Sequence, residues 1–150
     1  NTSVRLLKVD SAQYDNLKVL QSIEILRKST TLMIVGGSLK HEELRGVLDG
    51  FEPYRIMITC GTEPGFVYDG AVTARRFRAF NASWFKGPML LNLHCANVLI
   101  SGCDVSDEEV NKFLNQWTDS ESGCGQIGFM ILAKDTAKWN FKKALQGLKR

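Results

Sequence analysis

Leu32-Met33-Ile34-Val35-Gly36, continued by Glu42-Glu43-Leu44 and Val47-Leu48, is said again as Val98-Leu99-Ile100-Ser101-Gly102, Glu108-Glu109-Val110 and Phe113-Leu114. The offset is 66 throughout, from Leu32/Val98 to Leu48/Leu114, with no gap. Ile34/Ile100, Gly36/Gly102, Glu42/Glu108, Glu43/Glu109 and Leu48/Leu114 are identical pairs, and most of the others exchange one apolar residue for another. Self-similarity at a fixed offset marks supersecondary units that bury their apolar faces only by stacking on neighbours. Such a stack more often offers a surface to a partner than encloses a catalytic cleft.

Both copies share one local grammar. A short apolar run makes a buried strand, a glycine closes it, and a helix follows. Leu44, Val47, Leu48 and Phe51 stand at i, i+3, i+4 and i+7, and Val110, Phe113, Leu114 and Trp117 repeat that stripe. Ser106 and Glu109 have the spacing of a capping box. Pro53 bounds the first helix. Tyr54–Thr59 and Ile127–Ala133 read as the strands that come next, so strand–helix–strand occurs twice, over about 32–59 and 98–133.

Outside the copies, Val4–Val9 predicts a first strand, and Asp10 and Ser11 offer caps to a helix through Tyr14, Leu17, Leu20 and Ile23. Val72–Phe80 predicts an exposed strand because it carries three arginines. The segment 83–93, with Gly87-Pro88, predicts a short helix and then a strand at Met89–Leu93. A polar loop spans Thr118–Gly125, and a last amphipathic helix places Phe141, Ala144, Leu145 and Leu148 on one side. Alternating strands and helices argue for an α/β fold with a mainly parallel sheet, since a helical crossover returns the chain in its original direction. Units of one strand and one helix resemble an irregular leucine-rich-repeat layout.

At 150 residues, 44% of them hydrophobic and 23% charged, the chain fits one globular domain and neither a disordered nor a fibrous class. No apolar run approaches the ~20 residues that span a bilayer. Arg5 and Lys8 interrupt the first apolar run, so no secretory signal is expected, and a start at Asn1 suggests a piece of a longer protein. An intracellular location follows as the expectation. Cys60, Cys95, Cys103 and Cys124 show no CxxC spacing and no histidine pair at metal-finger distance, which favours free thiols. Asn1-Thr2-Ser3 and Asn81-Ala82-Ser83 match the glycosylation triplet but carry little weight without a secretory signal.

Candidates for chemistry are few. His94-Cys95 is the one base–nucleophile pair, and adjacent strand residues point to opposite faces. Val35-Gly36-Gly37-Ser38-Leu39-Lys40 lacks the spacing of a phosphate loop and reads as a tight strand exit. Asp104, Asp107 and Glu108 could gather a cation but lack a glycine-punctuated calcium loop. His41, in a first helical turn beside two glutamates, is expected to face solvent. No catalytic residue, cofactor or metal is therefore expected. Arg75, Arg76 and Arg78 around Phe77 are the candidate partner-binding residues. They could hold phosphates with Phe77 stacked on a base, pair with the acidic helix starts, or bind an acidic protein. A net charge of only +3 and the lack of a second basic strip favour a protein-binding edge over an RNA- or nucleotide-binding one.

The run Val105-Ser106-Asp107-Glu108-Glu109-Val110-Asn111-Lys112-Phe113-Leu114-Asn115-Gln116-Trp117 resembles the type 2 F-box associated domain, a family expanded in nematodes. Asn111, Phe113, Leu114 and Trp117 fall on the matching positions, while Val110 stands where the family usually has Leu. The resemblance spans about Leu90–Ala133 and is diffuse before it. It implies a single substrate-receptor domain without chemistry of its own. An F-box, which is not in this chain, would dock on the Skp adaptor and cullin scaffold of a ubiquitin ligase. The domain would then hold the protein to be ubiquitylated.

Overall fold

Leu32 and Ile34 are at most 1% exposed while their neighbours Thr31, Met33 and Val35 are only half-buried, and this alternation sets the architecture. The computed structural model describes residues 4–119, 127–135 and 137–148, the side chains of 16–18 excepted. Its strands are β1 (Leu6–Asp10), β2 (Thr31–Val35), β3 (Ser38–Leu39), β4 (Arg55–Ile58), β5 (Gly61–Thr62), β6 (Arg76–Ala79), β7 (Asn97–Ser101) and β8 (Phe129–Ala133). Its helices are α1 (Tyr14–Gln21), α2 (Glu24–Arg27), α3 (His41–Gly50), α4 (Gly87–Leu90), α5 (Asp107–Thr118) and α6 (Phe141–Ala144). Six strands form one sheet in the order β1-β2-β4-β6-β7-β8, every pairing parallel, and β3 pairs with β5 beside it. The expected α/β class with a parallel sheet is what the chain builds.

Strand order follows chain order. A right-handed crossover that always advances in the same direction keeps its connecting segments on one side of the sheet. On that side Leu7, Leu32, Ile56, Phe77, Val98 and Met130 lie in register, followed by Val9, Ile34, Ile58, Ala79, Ile100 and Leu132. These two apolar rungs share one core with Leu44, Val47, Phe51, Phe85 and Phe113. The β4–β6 connection has no helix, and its aromatic residues fill the layer instead. Phe66 stacks on Tyr68 at 6.3 Å and meets Trp84 edge-on at 6.1 Å.

The register also explains the 66-residue offset. Thr31, Arg55, Arg76 and Asn97 are opposite one another, at steps of 24, 21 and 21 positions, which together make 66. The two copies thus begin at the second and fifth strands of the sheet and are not neighbours in it. Their local details agree. Gly36 (φ +122°) and Gly102 (φ +76°) turn the chain at the strand exits. Ser106 Oγ accepts from the Glu109 N–H at 3.1 Å, and Glu109 Oε2 accepts from the Ser106 N–H at 2.8 Å. In the first copy Glu43 Oε2 accepts from the Lys40 N–H at 2.7 Å, but an ammonium cannot accept, so only half the box is kept.

Three expectations are corrected. Met89–Leu93 is not a strand: Pro88 sits in the first turn of α4, where its missing N–H costs nothing, and Leu93 makes only a single bridge to Val72. Val72–Phe80 contracts to β6 plus that bridge. The last helix is one turn long and Gly147 (φ +74°) follows it, so no continuous stripe forms. Ala144 is buried there, while Phe141 and Leu145 are 67% and 50% exposed. The Leu17 side chain, Cys124, Asn1-Thr2-Ser3 and residues 120–125 of the polar loop lie outside the described residues.

The motif that carries the family resemblance works as scaffold. Phe113 is core, and Trp117 stacks on it at 6.4 Å with its own ring partly exposed. Asn111 Nδ2 donates to the carbonyls of Ala144 (3.1 Å) and Gln146 (2.7 Å), tying α5 to the C-terminal turn. Asp107 Oδ1 at the start of α5 accepts from Lys134 Nζ (3.3 Å) and the Asn140 N–H (3.1 Å), and the Lys134 ammonium lies 4.1 Å from the Trp139 ring centre.

Candidate functional site

Because strand side chains alternate, the sheet has a second face that the core does not use. Its first rung reads Leu6, Thr31, Arg55, Arg76, Asn97 and Phe129. Its second rung reads Lys8, Met33, Met57, Arg78, Leu99 and Ile131. Every one of these twelve positions is exposed or half-buried. Four are cationic and none is acidic. Arg55 and Arg76 are register partners on adjacent strands, about 4.8 Å apart at the backbone. Among the described residues no ion pair reaches Arg55, Arg76 or Arg78. The Arg55 guanidinium lies 5.9 Å from the Tyr54 ring centre.

Two shallow hollows flank the Arg76–Arg78 pair. One, of about 230 Å³, is lined by Thr31, Met33, Arg55, Met57 and both arginines. The other, of about 130 Å³, is lined by Asn97, Leu99, Phe129 and the same two arginines. Arg76 and Arg78 therefore form a cationic ridge between two partly apolar depressions.

The predicted cluster divides at this point. Arg76 and Arg78 share the open face, whereas Arg75 precedes the strand and lines neither hollow. Phe77, expected as a base-stacking ring, is fully buried on the opposite face. Strand alternation alone separates it from its arginine neighbours. Nor do the arginines pair with the acidic helix starts. Glu108 pairs with Lys143, Asp107 with Lys134, and Asp104 with Lys86, whose hydrogen bond holds the Asp104 carboxyl below its ordinary value. Those three carboxylates each meet a different lysine, and no cluster able to hold a metal ion occurs among the described residues. Arg55 escaped the sequence reading because its place beside Arg76 depends on register. Its signal was parity alone: it opens a strand on the side away from Ile56 and Ile58.

His94 and Cys95 do not assemble. His94 is exposed, while Cys95 is fully buried and its Sγ donates to the Val72 carbonyl at 3.3 Å. Burial pushes its thiol up from an ordinary 9.0 to about 12. Cys60 and Cys103 are likewise buried, unbridged thiols. A folded-state value raised above the unfolded one adds stability that is complete below about pH 9 and lost as the pH climbs toward 12. Urea midpoints across the alkaline range should accordingly fall more steeply for the wild type than for Cys95→Ala; parallel curves would show that this thiol does not titrate with unfolding.

His41 is half-buried rather than turned fully to solvent. Its Nε2 lies 2.8 Å from the Glu63 carbonyl oxygen and its ring meets Phe66 edge-on at 5.8 Å, so it pins the β4–β6 connection to α3. The Val35–Lys40 segment is the strand exit it was read as, with Ser38 and Leu39 entering β3. A further hollow of about 260 Å³ lies between α5 and β8, lined by Phe113, Leu114, Trp117, Met130 and Leu132 without a charged group. No helix among the described residues is long and apolar enough to cross a membrane. Compared with known proteins, the chain matches no family model, no curated protein and no solved structure.

Proposed function

We propose that this domain is a protein-interaction module rather than an enzyme, and that it captures its partner on the open face of the sheet. The observation that carries this reading is the group Arg55, Arg76 and Arg78, of which the first two are register partners and the third is two residues further on. No carboxylate stands on their two rungs, and Asp10 of this face lies out on the edge strand β1. Clustered cations without counter-charges are costly to leave side by side and useful when a partner supplies the missing sign. The likeness of Asn111, Phe113, Leu114 and Trp117 to the F-box associated pattern supports the finer assignment. In it the domain is the intracellular substrate receptor of a Skp–cullin–F-box ubiquitin ligase. RNA binding through the same arginines is the competing reading, and it lacks the stacking ring that Phe77 was expected to provide.

The test places a photo-crosslinking amino acid at Met57, on the open face, or at the exposed Val67 in the β4–β6 connection. The full-length protein is then irradiated in cells. The Met57 version is expected to yield a discrete protein adduct that co-precipitates with the Skp adaptor and cullin and accumulates when the proteasome is blocked. Adducts to RNA alone would overturn the reading. A protein adduct without adaptor or cullin would keep the binding module and remove the ligase.

A further inference from the structure

What the open face recognises follows from its chemistry, on the reading that this face binds protein. Arg76 and Arg78 stand two residues apart on β6, with Arg55 beside Arg76 on β4 and Lys8 on the same rung as Arg78. Guanidinium forks favour planar oxyanions, and the described residues offer these none. The surroundings of the ridge are mixed, with Thr31, Arg55 and Asn97 as polar members and apolar side chains in both hollows. Met33 and Met57 line the hollow on one side, and Leu99 and Phe129 line the hollow on the other. The hollows centre on β4 and β7, two strand spacings apart, or about 10 Å.

We infer that the partner is an acidic protein segment whose carboxylates sit on the Arg76–Arg78 ridge while apolar side chains on either side of them enter the two hollows. Charge and apolar contact have separate tasks in this arrangement. The arginines set orientation and reject basic or neutral segments, because an unmatched cation facing apolar surface stays unpaired. Met33, Met57, Leu99 and Phe129 supply the area, and the two methionines adapt to differing side-chain shapes. A run of glutamates alone would satisfy the ridge and leave the hollows empty. A neutral apolar segment would do the reverse. Both should bind more weakly than a segment with both features. Single-stranded RNA brings phosphates, but only Phe129, at the sheet's far edge, offers an aromatic ring on these two rungs.

Fluorescence anisotropy with a labelled peptide of repeating Leu-Glu-Glu-Leu units tests the inference. Three comparison probes of equal length replace Glu by Gln, replace Leu by Ala, or substitute an oligouridylate. The acidic apolar peptide is expected to saturate below about 1 mM, with each peptide control weaker by on the order of tenfold. The double variant Arg76→Gln/Arg78→Gln should lose a similar factor, Met57→Ala should lose less, and Arg75→Gln should bind as the wild type does. Matched unfolding midpoints of the variants exclude misfolding, since all four positions lie outside the core. No saturation, equal binding of the Gln peptide, indifference to the double variant, or tighter binding of the oligouridylate each overturns the inference. A Met57 protein adduct that survives the double variant separates the two claims: the face would still bind protein, by other chemistry.

Discussion

Phe77→Ala is expected to cost about 3–5 kcal/mol of folding stability, the range for truncating a buried aromatic. Phe77 is fully buried, opposite Ile56 on one side and Val98 on the other, with the Phe85 ring 6.3 Å away. Removing its ring empties the middle of the apolar rung, where neighbouring strands fix the backbone and little can collapse inward. Domains keep only about 5–15 kcal/mol in total, so the variant would forfeit a large share of its stability. At roughly 2–4 °C per kcal/mol for a chain of this size, its Tm should fall by about 6–20 °C. Arg78→Ala, the next side chain but on the other face, should change Tm by little. A Phe77→Ala Tm within a few degrees of wild type would place the ring outside the core and reopen its role as a stacking platform.

Gly36→Ala is the second large effect, and Gly37→Ala is its internal control. At φ +122° Gly36 occupies backbone space that L side chains rarely enter. A Cβ there would also come within 2.2 Å of Ser11 Oγ and 3.1 Å of Ser11 Cβ. Strain and overlap together should cost about 2–4 kcal/mol. Around Gly37 nothing lies within 4 Å of a Cβ, and its replacement should be nearly neutral. Gly102→Ala should fall between them, because its φ is +76° and the obstacle is the Asp135 carboxylate at 2.8 Å, which can swing aside. Urea unfolding of the three variants should rank them in that order. Equal losses at Gly36 and Gly37 would mean that the strand exit tolerates any residue.

Those two positions also mark how far the sequence could be read. Local rules found β2, α3, β7 and α5, because a buried strand, a turn glycine and a 3.6-residue stripe each leave a pattern within ten residues. Non-local facts were not legible. Whether Phe77 or its arginine neighbours faced the core depended on what lay above and below β6, and a strand with three arginines reads as exposed until that is known. Arg55 could join the site only through the β4–β6 register. The segment after Gly87 was misread because Met89, Leu90 and Leu91 are equally apolar as strand or helix, and only the proline's position in the first turn decides. The repeat was visible, but the two turns between its copies were not, since the second and fifth strands kept a likeness that the third and fourth lost.

Strand order has one more consequence, for how the molecule comes apart. Each strand of the sheet pairs only with the strands before and after it in that sheet's chain order, so among the described residues no strand pairing joins the two ends. β1 and β8 each have one neighbour, while β4 and β6 are held from both sides. Opening should therefore proceed inward, with amide exchange fastest at the two outer strands and slowest in the middle pair. The arginine ridge sits on that slowest pair, so fraying of either end would leave the partner-facing cations in place.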